Sequence, residues 1–170
     1  MPRNVEIKAR LPDIEATRRL VERIAAGPGQ VVEQQDTFYR VPEGRLKLRE
    51  RSDAGAELIY YRRPDAVGPR ESEYEVAAVP DAGRLRALLA AALGVAGRVV
   101  KRRTLYRSGR TRIHLDEVRD LGSFLELEVE LAPGEPVGAG IRDAERLMTA
   151  LEIDRATLVA TAYVDLPTRR

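Results

Sequence analysis

Five segments of this 170-residue chain carry charged side chains at every second position, the spacing at which residues share one face of a β-strand. Lys47 and Arg49 do so between Arg45 and Arg51, Lys101 and Arg103 follow, and Glu126, Glu128 and Glu130 form an acidic counterpart. Glu6 with Lys8, and Arg112 with His114 and Asp116, mix the two signs. Arginine grips phosphate oxygens in bidentate fashion, lysine acts as a point charge, and adjacent carboxylates suit Mg²⁺ or Mn²⁺. A metal-bound polyphosphate would answer both sets. A half-buried sheet with its charged side in water shows the same alternation, although like charges directly opposite one another repel. Two arrangements therefore stand side by side: charges out to solvent, or charges turned into the lumen of a barrel whose apolar face is covered by helices.

Composition narrows the chemistry further. There is no Cys and a single His, which removes disulfides, thiolate zinc sites, cysteine nucleophiles and multi-histidine clusters, so any metal is expected to be a hard ion on carboxylates. Neither GxxxxGK[ST] nor a complete dinucleotide fingerprint occurs, and HExxH and GxSxG are absent. Twenty-nine basic against 27 acidic residues leave a formal charge of +2, and two Phe with no Trp offer few stacking platforms, so no nucleic-acid partner is expected. No run approaches the roughly 18 apolar residues of a membrane helix, and MPRNVEIKAR lacks the apolar core of a signal peptide. The expectation is a cytoplasmic protein with no membrane partner.

The elements that must position these residues can be read from periodicity. Residues 4–11 alternate as a strand, and Asp13 caps a helix over Ile14, Leu20, Val21 and Ile24 that ends before Gly27-Pro28-Gly29. Strands are predicted over 30–40, 45–51, 57–63 and 71–79. Pro80-Asp81 then opens a helix that stops at Gly94. Three closely spaced strands follow at 99–107, 111–118 and 123–131, then a loop over 133–140, a helix over 141–151 and a last helix over 156–166. With no repeat and no dividing linker, residues 1–170 form a single domain. The fold class is α+β: an eight-stranded antiparallel β-barrel or strongly curved sheet with flanking helices.

The order of motifs resembles the CYTH superfamily, which takes in class IV adenylyl cyclases, thiamine triphosphatases and inorganic triphosphatases of the triphosphate tunnel type. Asn4-Val5-Glu6-Ile7-Lys8 is similar to its ExExK opening. Asp36-Thr37-Phe38-Tyr39, Gly44-Arg45-Leu46-Lys47-Leu48-Arg49, Arg62-Arg63-Pro64, Glu73-Tyr74, Lys101-Arg102-Arg103, His114-Leu115-Asp116 and Phe124-Leu125-Glu126-Leu127-Glu128 follow in order. The resemblance implies an antiparallel tunnel that binds a small-molecule triphosphate (ATP, thiamine triphosphate or inorganic triphosphate) with Mg²⁺ or Mn²⁺. It implies that Glu6, Glu126 and Glu128 hold metal, with Asp116 beside them as a metal ligand or water-orienting group, and that these four are the catalytic candidates. Lys8, Lys47, Arg49, Arg62, Lys101, Arg103 and Arg112 are implied as phosphate ligands. RNVEIKARL and GRLKLRE look most like class IV adenylyl cyclase, the activity being ATP cyclisation to cyclic AMP and pyrophosphate. Triphosphate hydrolysis and non-catalytic triphosphate binding are the alternatives. Asn4 departs from the pattern by replacing a carboxylate with a neutral amide, and Tyr163 is a candidate for a further role near the C-terminal segment. Arg45, Arg51 and Glu130 read as rim or solvent charges, Tyr60 and Tyr61 as packing residues, and His114 as structural or as a partner of Asp116.

Overall fold

The computed structural model describes residues 1–168. Eight strands, β1 (Arg3–Arg10), β2 (Gln30–Tyr39), β3 (Arg45–Arg51), β4 (Gly55–Arg62), β5 (Arg70–Val79), β6 (Val95–Ser108), β7 (Thr111–Val118) and β8 (Gly122–Leu131), close into one barrel. Their order around it is β1-β5-β4-β3-β2-β6-β7-β8, every neighbouring pair is antiparallel, and β8 returns to β1. Three helices lie outside: α1 (Ile14–Ile24), α2 (Ala82–Leu93) and α3 (Val137–Ala150). Among the described residues no helix is long and apolar enough to cross a membrane.

Helix ends follow local chemistry. Asp13 accepts hydrogen bonds from the backbone N–H groups of Glu15 and Ala16, and Asp81 accepts one from Arg84, satisfying donors that the first turn leaves free. Gly94, at φ +75°, ends α2 in a conformation that a side chain would strain.

The barrel is inside out with respect to an ordinary sheet. Ile7, Ile113, Leu115, Leu125 and Leu127 are at most 1% exposed, yet they face outward and form a core with Val21 of α1 and with Met148 and Leu151 at the end of α3. Val5 and Val129 pack on Ala144 of α3. On the far side Tyr39, Leu48 and Ala56 are covered by Leu85 and Leu89 of α2. The alternate residues of the same strands, all polar or charged in β1 and all charged in β3, face the lumen. Of the two arrangements left open by the sequence, the inward-facing one is observed.

Three element assignments are corrected. Helix α3 begins at Val137, inside the stretch read as loop, because Gly138 and Gly140 do not break it: a Cβ on Gly140 would lie 2.7 Å from Val5 Cγ2, so the glycine lets the helix approach β1 closely. Strand β6 starts at Val95 instead of residue 99, since Val95 pairs with Tyr39 of β2 across a register shift. The segment read as a last helix is extended between two single 3₁₀ turns, Arg155–Thr157 and Tyr163–Asp165. Its backbone is claimed by β1: Leu158 bridges Ala9, Val159 N–H donates to Lys8 O, and Lys8 Nζ donates to Thr161 O at 3.0 Å. These contacts draw the segment across one end of the barrel.

Leu127→Ala is expected to lower unfolding free energy by about 2–5 kcal/mol, the range for truncating a fully buried leucine. Chemical denaturation measures it, and a loss under about 1 kcal/mol would show that the helices do not seal the outer face.

Candidate active site

Inside the barrel two strands present the same device. On β3, Lys47 and Arg49 stand two residues apart, and Asp36 on the neighbouring β2 lies opposite Arg49. Asp36 accepts hydrogen bonds from Arg49 Nε and Nη2 at 2.9 Å each and from Gln34 at 3.2 Å, with Lys47 Nζ at 3.1 Å. On β6, Lys101 and Arg103 repeat the spacing, and Asp116 on the neighbouring β7 lies opposite Arg103. Asp116 accepts from Arg103 Nε and Nη2 at 2.7 Å each, from Lys101 at 3.0 Å and from the Tyr163 hydroxyl at 2.9 Å. Burial opposes ionisation of both aspartates. Arg49 with Lys47, and Arg103 with Lys101, outweigh it and hold both carboxyls far below the usual range. Each aspartate thus fixes a lysine–arginine pair in one geometry while leaving the pair exposed to the lumen.

The glutamates Glu126 and Glu128 stand on β8 and Glu6 on β1, with Arg112 and His114 of β7 beside them. Register sets His114 beside Glu126 and Arg112 beside Glu128, while β1 brings Lys8 beside Glu126 and Glu6 beside Glu128. Glu126 lies 2.5 Å from Arg103 Nη2 and 3.5 Å from Lys8 Nζ; Glu128 accepts from Arg112 Nε at 2.9 Å; Glu6 accepts from Arg63 Nη1 at 2.7 Å. Burial works against ionisation of Glu126, and Lys101, Arg103 and Lys8 overcome it, so the group stays a carboxylate. Burial and Arg103 push the His114 pKa below its ordinary value, leaving a neutral imidazole at pH 7. Together His114, Glu126 and Glu128 each offer one donor atom, all within 4.8 Å of one another, a set that could hold a metal ion.

Most of the expected site residues share this cavity of about 270 Å³. Glu6, Lys8, Lys47, Arg49, Lys101, Arg103, Arg112, Glu126 and Glu128 all line it, as do Asn4 and Tyr163. Arg62 is a correction. It faces out of the barrel and donates to the Tyr60 hydroxyl at 3.0 Å, because Glu57, Ile59 and Tyr61 take the inward positions of β4 and the next inward residue is Arg63. The placement of Asp116 as a metal ligand is also corrected: its two oxygens are taken up by Lys101, Arg103 and Tyr163, and it stands behind the wall as the anchor of that pair. Tyr163 lies beneath Lys8, whose Nζ is 3.9 Å from the ring centroid. Burial and the Asp116 carboxylate push the phenol pKa well up, so it serves as a hydrogen-bond donor and not as a base. Arg51 sits at the rim paired with Asp53, and Arg45 pairs with Asp165 on the segment that crosses the barrel end. Asp36 and Arg63 entered the sequence reading only as letters within motifs; inward parity on β2 and β4 is the signal that identifies them.

The CYTH domain family model matches residues 2–163. The chain belongs to the CYTH family. Among solved structures, the PH1012 protein of Pyrococcus horikoshii OT3 is similar to this CYTH chain with a TM-score of 0.86 at 22% identity, covering 96% of this chain and 98% of that one. A Vibrio parahaemolyticus protein named as a candidate adenylate cyclase has a TM-score of 0.72 at 21% identity, covering 94% of each chain. HpAC1 from Hippeastrum, described as having a dominant triphosphatase activity, has a TM-score of 0.60 at 17% identity, covering 94% of this chain and 91% of its own. At these identities the likeness is one of fold. No curated protein matches the chain significantly.

Lys8 and Lys47 give the CYTH barrel a pH signature. Burial lowers both to about 8, helped at Lys47 by the Arg49 charge and at Lys8 by Arg63 and Lys101, and opposed by Asp36 and Glu126. The unfolded chain then binds more protons than the folded one above pH 8, so stability rises with pH there. Urea denaturation of the empty protein is expected to show a gain on the order of 1–2 kcal/mol per lysine between about pH 8 and pH 9.5. A flat or falling profile would mean that these amines are not held in the lumen.

Proposed function

We propose that this CYTH protein is a divalent-metal-dependent enzyme acting on a small-molecule triphosphate bound inside the barrel. The observation that carries it is the pairing, within one cavity, of two aspartate-anchored lysine–arginine pairs with a carboxylate–imidazole trio. A polyphosphate chain answers the first and a divalent cation the second. The buried Nδ1 of His114, without a hydrogen-bond partner among the described residues and facing Glu126 and Glu128, supports a cation held by this set. Mg²⁺ or Mn²⁺ held there would neutralise charge on the phosphate oxygens and polarise the reacting P–O bonds.

The protein's own residues supply the rest. Lys47, Arg49, Lys101 and Arg103, fixed before substrate arrives, hold the phosphates in register without reorganisation. Arg63, Lys8 and Arg112 engage further oxygens, exchanging carboxylate partners for phosphate. The C-terminal segment, through Ala162 and Tyr163, limits water at its end of the cavity. Both cyclisation and hydrolysis need in-line placement and charge neutralisation more than covalent chemistry. ATP cyclisation to 3′,5′-cyclic AMP and pyrophosphate is the reading that follows from RNVEIKARL and GRLKLRE, and Phe38, Ile59, Tyr61 and Val99 give the lumen an apolar stretch for the nucleoside. Hydrolysis to orthophosphate is the second reading, favoured by the triphosphatase activity described for the Hippeastrum relative.

The test is incubation with ATP, thiamine triphosphate and inorganic triphosphate in Mg²⁺ or Mn²⁺, with products separated. Cyclic AMP and pyrophosphate from ATP are expected, with activity lost in excess EDTA. Orthophosphate as the main product would assign hydrolysis, and tight binding without turnover would make the chain a binding module.

The orientation of β4 yields a sharper expectation. Arg63→Ala should weaken inorganic triphosphate binding by about 1.5–3 kcal/mol, a charge-assisted hydrogen bond's worth, while Arg62→Ala leaves it unchanged. Isothermal calorimetry on the two variants separates a lumen contact from a diffuse basic surface, which would give equal losses.

A further inference from the structure

His114 is the only histidine of the chain, and the sequence reads it as structural or as a partner of Asp116, with the metal assigned to carboxylates. In the structure it is 4% exposed, and its Nδ1 is buried with no hydrogen-bond partner among the described residues. That nitrogen faces Glu126 Oε2 at 3.6 Å and Glu128 Oε1 at 3.9 Å. Both separations are too long for a hydrogen bond. Both fall within the span of two donors bound to one ion at about 2.1 Å each. Glu6 is held by Arg63 at 2.7 Å and Glu126 Oε2 by Arg103 at 2.5 Å, contacts that a cation on these carboxylates would replace, whereas His114 Nδ1 has no partner among the described residues to give up. Asp116 is fully engaged by two cations and a phenol.

We propose that His114 Nδ1 is a metal ligand, forming with Glu126 and Glu128 a mixed nitrogen–oxygen site that selects Mn²⁺ over Mg²⁺. Imidazole is a good ligand for first-row transition ions, whereas Mg²⁺ takes oxygen donors in near-ideal octahedral geometry and gives up water reluctantly. Replacing one oxygen donor by nitrogen therefore biases the site toward Mn²⁺. This rests on the metal dependence and the carboxylate–imidazole trio proposed above and adds direct ligation through Nδ1 and the ion preference.

Because there is one histidine, the test needs no substrate and, in its first arm, no variant. Mn²⁺ alone is added to the tag-free protein, and pulsed electron paramagnetic resonance reads coupling to imidazole ¹⁴N. Coupling is expected, as is Mn²⁺ affinity at least about tenfold above that of Mg²⁺ in competition. In the second arm His114→Asn should abolish the nitrogen signal and shrink the Mn²⁺-to-Mg²⁺ ratio about tenfold or more. Bound Mn²⁺ without nitrogen coupling, no Mn²⁺ binding at millimolar concentration, or an unchanged ratio in the variant would overturn the assignment. Turnover of triphosphate with no nitrogen coupling would sink this inference and spare the proposed function; nitrogen coupling without turnover would do the reverse.

Discussion

Everything in the lumen depends on two buried aspartates. A barrel that points lysines and arginines inward meets a desolvation cost of several kcal/mol for each unpaired ion. Asp36 and Asp116 meet it locally, each from the strand next to the pair that it serves. Because each carboxylate binds its arginine through two parallel hydrogen bonds, the guanidinium plane is fixed along with its charge. The cations are neutralised enough to be buried, yet remain on the wall of a cavity that a polyanion can enter.

The outer surface of the barrel obeys the complementary constraint. Turning the polar faces inward leaves the apolar faces of β1, β7 and β8 outside, where they cannot remain in water, and α1 and α3 exist in this fold to cover them. Gly140 shows how tight that cover is, since the helix comes so near Val5 that a single methyl would collide. The helices therefore act on the site at one remove, by holding the strands whose opposite faces carry the charges. A residue such as Leu125 lies between two worlds, its side chain in the helix-covered core and its neighbour Glu126 in the lumen.

Much of this was legible because a strand has period two. The inward faces of β1, β3, β6 and β8 each carry charges at two successive inward positions, Glu6 with Lys8, Lys47 with Arg49, Lys101 with Arg103 and Glu126 with Glu128, and those are the faces the sequence assigns to the site. Strand β4 was harder, since its inward face reads Glu57, Ile59, Tyr61 and Arg63, a mixture in which no charge pattern reveals the parity, and the resemblance alone points to Arg62 where its neighbour faces the lumen. The start of α3 was hidden by glycines that signal loops in isolation and serve close packing here. The C-terminal segment was hidden for a different reason: its conformation is dictated by hydrogen bonds to Lys8, about 150 residues away, and no local propensity encodes them. His114 is similar, because only register across β7 and β8 sets it facing two glutamates.

The seam between β1 and β8 has a consequence for how the chain reaches this state. Strands β2 to β5, and β6 to β8, each pair with neighbours in sequence, so those meanders can assemble from hairpins. Strand β1 has no such neighbour. It joins β5 over only four register pairs and β8 over eight, with Arg10 meeting Phe124 more than a hundred residues later. Ring closure thus carries the largest loop-entropy cost in the molecule and belongs at the end of assembly, after both meanders are formed. Glu6 and Lys8 ride on that last strand. The barrel's walls can be built while its interior is still open to water, and hydration of the lumen ions is surrendered only when the first strand written in the sequence takes its place as the last one in the ring.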